Sequence, residues 1–245
     1  MNIFVTGGTG FIGSYIVDNF VSKGHHVTIL ARTPEKIEGF INHPRIHFVK
    51  GSITDYQIIA NSLPGIDVCI LCALGWGETA SSMLVADTEP SITFIDIAIR
   101  SGVKNIIYTS STAAVGDLRS LMDEHSHPLP NDYYGASKAA TECYILAQGA
   151  LHDTRCNIIR PSYTFGNPVV RGAPMQVDRR MFDIVKMIKA GETVNLIKND
   201  GTQFIWAGDL TLLYEYILLS ECNRSIFFGV GSQFITWEEI TRYAI

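Results

Sequence analysis

The chain has 245 residues, of which 47% are hydrophobic and 18% charged, with a formal net charge of −5. Such a length and composition suit one large α/β domain or a domain with an appendage, and exclude a disordered or fibrous chain. The negative balance offers no general attraction to phosphate backbones and no apolar run approaches the ~20 residues that span a bilayer, so neither a nucleic-acid nor a membrane partner is expected.

Met1 runs straight into apolar Ile3-Phe4-Val5 with no basic start or cleavage site, so a secretory leader is not expected. Strand-like apolar runs follow at 2–6, 26–31, 46–50, 67–73, 104–110 and 155–160, and helical patterns alternate with them at 11–23, 54–62, 87–101 and 132–150. Strands apolar on both faces and separated by helices predict an α/β fold, a doubly wound parallel sheet of Rossmann type. Such sheets bind ligands beyond the carboxyl ends of their strands. A glycine-rich turn, the segment 73–77, Ser111 and the segment 161–166 all fall at such ends.

After about residue 165 the pattern changes. Gly166-Asn-Pro168 and Arg171-Gly-Ala-Pro174 are loop signals, followed by a helix near 178–190 and short strands near 193–198 and 203–207. A helix at 209–220, a strand at 225–229 and a helical turn from Thr236 complete the chain. Residues 1–165 therefore read as a dinucleotide-binding domain. Residues 166–245 read mainly as a small substrate-binding cap, some of whose elements return to the sheet. The apolar period runs to Ile245 without a capping signal, so a further C-terminal portion of the cap is expected.

The turn Thr6-Gly7-Gly8-Thr9-Gly10-Phe11-Ile12-Gly13 joins the first strand to the first helix. A pyrophosphate site needs that arrangement: one glycine for the turn, one for close approach of the backbone, and one to pack the helix on the strand. The helix N-terminus then presents free N–H groups and positive potential to the anion. The spacing of Gly7, Gly10 and Gly13 is G-x-x-G-x-x-G rather than G-x-G-x-x-G. A plain strand-to-helix connection is the competing reading.

The second strand ends at Ala31-Arg32, where an NAD-preferring enzyme places a carboxylate on the ribose 2′-hydroxyl. A guanidinium there would instead bind a 2′-phosphate through charge-assisted hydrogen bonds. The expected cofactor is therefore NADP rather than NAD, with Arg32 on the phosphate and Lys36 in support; an exposed strand-end arginine is the alternative. Cys69 and Cys72 have C-x-x-C spacing, but residues three apart on a strand face opposite ways, so they are expected to be core thiols rather than metal ligands. The chain has five cysteines, at 69, 72, 143, 156 and 222, an odd number that predicts reduced thiols and a cytoplasmic setting.

The strand-like run Ile106-Ile107-Tyr108-Thr109-Ser110-Ser111 ends in hydroxyls, and Tyr134-Gly-Ala-Ser-Lys138 follows on a helix that Asn131 or Asp132 can cap. Four residues apart on a helix, Tyr134 and Lys138 share a face. A free phenol ionises near pH 10; an adjacent ammonium and a cationic oxidised nicotinamide both favour its phenolate. Ser111 could hold the same substrate oxygen. Taken singly, these are an exposed helical pair and a polar strand end; the glycine turn upstream gives the combination its meaning.

With these residues the chain resembles the extended branch of the short-chain dehydrogenase/reductase superfamily, the NAD(P)-dependent epimerase/dehydratase family. The resemblance rests on Thr6-Gly-Gly-Thr-Gly-Phe-Ile-Gly13, Gly51-Ser-Ile-Thr-Asp55, Tyr108-Thr-Ser-Ser111, Tyr134-Gly-Ala-Ser-Lys138 and Ile159-Arg-Pro161. It implies that Tyr134 is the acid–base, Ser111 its partner, and Lys138 both a modifier of Tyr134 and a ligand of the nicotinamide ribose. It also implies cofactor contacts along Thr9, Phe11, Ile12, Ala73 and Leu74, adenine contacts at Ser52 and Ile53, a nicotinamide contact at Pro161, and a homodimer.

The chain departs from the family in having Ser52 where aspartate is common, and Gln203-Phe204-Ile205-Trp206 where arginine and histidine are usual; the latter weakens a nucleotide-sugar substrate. Arg171, Arg179 and Arg180 are candidates for a phosphate but read more simply as solvated cap residues. His125 and His127, with Asp123 and Glu124, lie in a proline-bounded loop, and no metal is expected. The expectation is an NADP-dependent oxidoreductase or epimerase acting on a small secondary alcohol or ketone, with a sugar or sugar nucleotide among the candidates. The alternative is a non-catalytic NADP-binding sensor.

Overall fold

The computed structural model describes residues 1–116 and 122–245. The first part alternates β1 (Asn2–Thr6), α1 (Phe11–Ser22), β2 (His26–Ala31), β3 (Ile46–Lys50), α2 (Tyr56–Ser62) and β4 (Val68–Leu71). It continues with α3 (Ala80–Met83), a π-helical segment Leu84–Thr88, α4 (Glu89–Arg100), β5 (Asn105–Thr109), α5 (Tyr133–Leu151) and β6 (Arg155–Pro161). The remainder comprises β7 (Thr164–Phe165), α6 (Arg180–Lys189), β8 (Gly201–Thr202), β9 (Ile205–Trp206), α7 (Ala207–Leu219), β10 (Ile226–Gly229), β11 (Ile235–Thr236) and α8 (Trp237–Ala244).

Seven strands form one parallel sheet in the order β10-β6-β5-β4-β1-β2-β3. The chain leaves β1 toward β2 and β3, then returns to β4 on its other side. This reversal opens a crevice at the carboxyl ends of β1 and β4, the place where such sheets take ligands. Alternation along β1 sends Ile3 and Val5 to one face and Phe4 to the other. The first two join Ile16, Val17 and Phe20 of α1 and Leu210, Tyr214 and Ile217 of α7. Phe4 joins Ile59 of α2, Phe94 and Ile95 of α4 and Ile145 of α5. Burying each such side chain contributes about 1.5–3 kcal/mol, which is why the sheet is covered on both faces.

A smaller cluster of Ile184, Phe204 and Trp237 lies outside the sheet, with Tyr163, Ile188 and Ile240 packed against it. The rings of Tyr163, Phe204 and Trp237 meet edge to face at 5.0–5.3 Å. Elements from beyond residue 165 therefore do two things: α7 and β10 complete the sheet layer, while α6 and α8 pack on one another.

Two expected elements differ. No strand forms over 193–198; the short strands are β8 and β9, because β11 offers backbone partners to Gly201-Thr202 and none to the earlier run. The helix expected from 87 starts at Ala80, capped by a reciprocal Thr79–Ser82 box, and passes through the π segment before α4. The cap was missed because serine stands where the usual signal has Glu or Gln.

Candidate active site

The glycine turn is packed too tightly for side chains. Gly7 has a φ of +71°, and a Cβ there would lie 2.6 Å from the Ala73 nitrogen; one on Gly13 would lie 2.1 Å from the Gly7 oxygen. The turn thus presses β1 against the end of β4 and seats α1 directly on the turn. Gly10 begins α1 without a side-chain cap, leaving first-turn N–H groups for an anion.

Two adjoining cavities lie along the crevice and share Gly7, Gly10, Phe11, Cys72 and Leu74. One, of about 570 Å³, is also lined by Thr9, Arg32, Ser52, Ile53 and Ala73. The other, of about 640 Å³, is also lined by Ile12, Gly13, Ser111, Tyr134, Lys138 and Pro161. The structure therefore brings the expected catalytic residues and Arg32 with the other expected cofactor residues to one continuous crevice, whereas Lys36, expected to support Arg32, is exposed on the turn Pro34–Lys36 and lines neither cavity. Arg32 is exposed, and no ion pair involves it among the described residues.

Asp132 caps α5, its Oδ1 accepting from the Gly135 N–H at 2.6 Å. Gly135 lets the helix approach the turn after β5, where a Cβ would lie 2.2 Å from the Ala113 oxygen. This contact brings Tyr134 to the wall that carries Ser111. Ser111 caps the 3₁₀ turn Thr112–Ala114 by accepting from the Ala113 N–H at 3.1 Å. Tyr134 is half-buried, and its ring lies 6.2 Å from that of Trp76.

Lys138 is buried, with its Nζ 5.7 Å from the Tyr134 ring centroid and 5.1 Å from that of Tyr108. Burial alone would lower its pKa, but Tyr108, Asp87 and Tyr134 outweigh that penalty and raise it, so the ammonium stays charged. Its carboxylate partner is Asp87, Oδ2 at 3.3 Å. Burial pushes the Tyr108 phenol up to about 12, against the opposing Lys138 charge.

Sequence reasoning missed Asp87, because an acid in an amphipathic helix reads as a solvated residue. It missed Trp76 too, since a lone aromatic after a strand carries no pattern. Behind the site, Arg160 makes a bidentate pair with Glu142 at 2.9 and 2.7 Å, and Ser110 donates to the same carboxylate at 2.5 Å. All three are buried, so the pair fixes β6 against α5 at the cost of desolvation.

The two C-x-x-C residues part company. Cys69 lies in the core, whereas Cys72 lies beyond β4 and lines both cavities. Burial raises the Cys72 thiol, which leaves it a poor nucleophile. Among the described residues no group of three His, Cys, Asp or Glu is placed to hold a metal, and no helix is long and apolar enough to cross a membrane. Of the candidate phosphate ligands, Arg171 pairs with Glu38, Arg179 stacks on Phe182, and Arg180 alone lines the cleft.

A match to the NAD dependent epimerase/dehydratase family runs over residues 3–225. The chain belongs to this family. It is 29% identical over 181 residues to a 3β-hydroxysteroid dehydrogenase/Δ5→4-isomerase of Mycobacterium tuberculosis (strain CDC 1551 / Oshkosh), covering 67% of this chain and 47% of that protein. It is 26% identical over 234 residues to a 3β-hydroxysteroid dehydrogenase of Mycolicibacterium neoaurum, covering 89% and 60%. The chain thus spans about half the length of these curated relatives. In fold it matches a double mutant of the dTDP-glucose 4,6-dehydratase of Streptomyces venezuelae, solved with NAD bound, at a TM-score of 0.86 and 23% identity over 100% of this chain and 80% of that one.

Proposed function

We propose that this chain is the dinucleotide-binding, catalytic part of an oxidoreductase or epimerase that acts on a secondary alcohol or ketone. The observation that carries this reading is the meeting of Ser111, Tyr134 and a charged, buried Lys138 at the wall of a crevice floored by the glycine turn. The crevice suits a dinucleotide: the Gly7–Gly13 turn has no room for side chains, and α1 offers uncapped N–H groups. When bound there, the nicotinamide supplies or accepts hydride.

The chain's own residues handle the proton. Ser111 orients the substrate oxygen, and Tyr134 gives or takes its proton. Lys138 makes the phenolate accessible through its positive charge and holds a ribose hydroxyl. Ser52 and Ile53 line the adenine end, and Pro161 the nicotinamide end.

NADP is the proposed cofactor. It is supported by exposed Arg32 on the rim of the smaller cavity, beside Ala31 where a carboxylate would repel a 2′-phosphate. The substrate end favours a molecule without a diphosphate. Arg180 is already held by Asp178 at 3.0 Å and Asp200 at 3.8 Å and lies over the Trp237 ring, so an added anion would compete with two carboxylates.

A homodimer through α5 and its neighbour is part of the proposal, with Tyr144 54% exposed on α5; light scattering of the purified protein at the monomer mass would rule it out. The domain division at residue 165 and a cytoplasmic setting belong to the same reading. The decisive test offers NADPH or NADH with a panel of ketones, sterols, sugars and sugar nucleotides. Turnover with a carbonyl substrate supports the enzyme. Dinucleotide binding without turnover, unchanged in Tyr134→Phe, would support a sensor instead.

A further inference from the structure

The segment that leads from the sheet into α6 is tied down at two points. At the first, Ala173 shares a core cluster with Ile37 and Phe40, and the Gly39 N–H donates to the Arg171 oxygen at 2.8 Å. Gly172 permits that approach: its φ is +86°, and a Cβ there would lie 2.2 Å from the Lys36 oxygen. At the second, the Tyr163 hydroxyl donates to the Asp178 oxygen at 3.1 Å. Between these ties the side chains part. Val177 is 95% exposed, whereas Gln176 is 8% exposed and lines the larger cavity, which Ser111 and Tyr134 also line.

Gln176 is set apart by what its amide lacks. Its Oε1 is buried without a hydrogen-bond partner. Six side-chain atoms are in that position among the described residues, and only this one belongs to a residue that lines either cavity. A buried amide oxygen left unpaired costs stability, so one kept beside a cavity calls for a partner that enters it.

The polar groups around it are already engaged. Ser162 Oγ donates to the Gln203 oxygen, and Thr164 Oγ1 donates to the Ser162 oxygen at 3.1 Å. Asp178 accepts from the Arg180 N–H at 2.9 Å and from Arg180 Nη2 at 3.0 Å. Asp200 is the second carboxylate facing that guanidinium. Two acids against one base make this part of the cavity a poor place for an anion. A hydroxyl suits it, because a hydroxyl can donate to the oxygen of an amide or accept from its nitrogen. An apolar substrate would displace water from the amide and leave it unpaired, whereas a hydroxyl restores the bond.

We propose that Gln176 is a specificity-determining residue: its amide hydrogen-bonds a second hydroxyl of the substrate, one that takes no part in the reaction. The substrate is then a neutral hydroxyketone or diol rather than a plain ketone or alcohol. The inference rests on the reading of this cavity as the substrate end of an oxidoreductase site. It gives Gln176 no share in proton or hydride transfer.

The test offers the full chain NADPH or NADH with cyclohexanone, a decalone and a ketosteroid, each plain and with one further hydroxyl at successive ring positions. For at least one position, kcat/KM is expected to be about tenfold higher with the hydroxyl than without it, mainly through KM. Gln176→Leu keeps the size and removes both hydrogen-bonding ends. It is expected to lower that preference about tenfold, a comparison from which the ketones' own reactivities cancel. Gln176→Glu retains an acceptor and is expected to retain the preference. A preference equal in the parent and Gln176→Leu, whatever happens to Tm, is the result of a merely structural glutamine and overturns the proposal.

Should Gln176→Leu not fold, Gln176→Met is read the same way; if neither folds, the amide serves stability alone and the proposal fails. A parent protein that binds a dinucleotide but reduces none of these ketones would overturn the reading of the site, and this inference with it. Reduction that ignores the added hydroxyl at every position overturns only the role of Gln176.

Discussion

Tyr134 and Lys138 show how much one helical turn can specify. Their spacing alone puts them on one face, and the structure adds that the amine is buried while the phenol reaches a cavity. Replacing Tyr134 with Phe removes the exchangeable proton and little else, so turnover is expected to drop by about 10²–10⁴-fold. Dinucleotide affinity, followed by fluorescence titration, should stay near that of the parent; undiminished turnover would remove Tyr134 from the mechanism. At the other end of the crevice, the proposed preference for NADP rests on Arg32. Arg32→Ala should raise KM for NADPH by about tenfold, the worth of a charge-assisted hydrogen bond at an exposed site, and leave KM for NADH nearly unchanged. Equal effects on both would show that the guanidinium does not read the 2′-phosphate.

The glycine turn and α1 act as a single element, and the element tolerates no added atoms. Gly13→Ala would drive a methyl into the Gly7 oxygen, and neither backbone can retreat without opening the turn. The expected result is a loss of at least about 1–3 kcal/mol of stability, the range for overpacked sites, together with dinucleotide binding too weak to measure. Thermal melts and titration would check both, and a variant that binds normally would show the turn to be more pliant than its contacts suggest.

The elements that proved hardest to read share one property. The run 193–198 carries strand-forming residues but has no neighbour to pair with, and Ile197 remains 77% exposed. The helix was expected only from residue 87 because the Thr79–Ser82 box and the π turn before α4 are held by local hydrogen bonds rather than by an apolar period. Where a strand or helix is defined by its own burial, as in β1 to β6, the sequence pattern located it to within two residues at either end.

At the scale of the molecule, two cores on either side of one sheet bury several groups that would otherwise ionise at alkaline pH. Burial pushes the Cys156 thiol and the Tyr108 phenol each up to about 12. A thiol or phenol raised in the folded chain contributes stability that is full below its unfolded pKa and is lost as pH rises toward the folded value. Lys138, also raised, loses its contribution in the same direction. Stability to urea is therefore expected to fall from about pH 9 upward, the ordinary thiol range. Cys156→Ala should flatten that slope between about pH 9 and pH 12. A slope identical to that of the parent would mean that the thiol does not contribute.

The sequence by itself determined the layered α/β sheet, the glycine turn and the candidate set of Ser111, Tyr134 and Lys138, because each is written in local spacing: a period of two or 3.6, glycines three apart, a tyrosine and lysine one turn apart. Only the tertiary structure decided the surroundings of Lys138. Asp87 stands 51 residues from it along the chain, a separation that follows from the numbering, and no local pattern marks an acid for burial. It turns inward because α5 brings an ammonium and a hydroxyl to meet it and the π segment gives it the angle to do so. Pairings of that kind arise from how helices dock on a sheet, and a one-dimensional pattern carries no record of that docking.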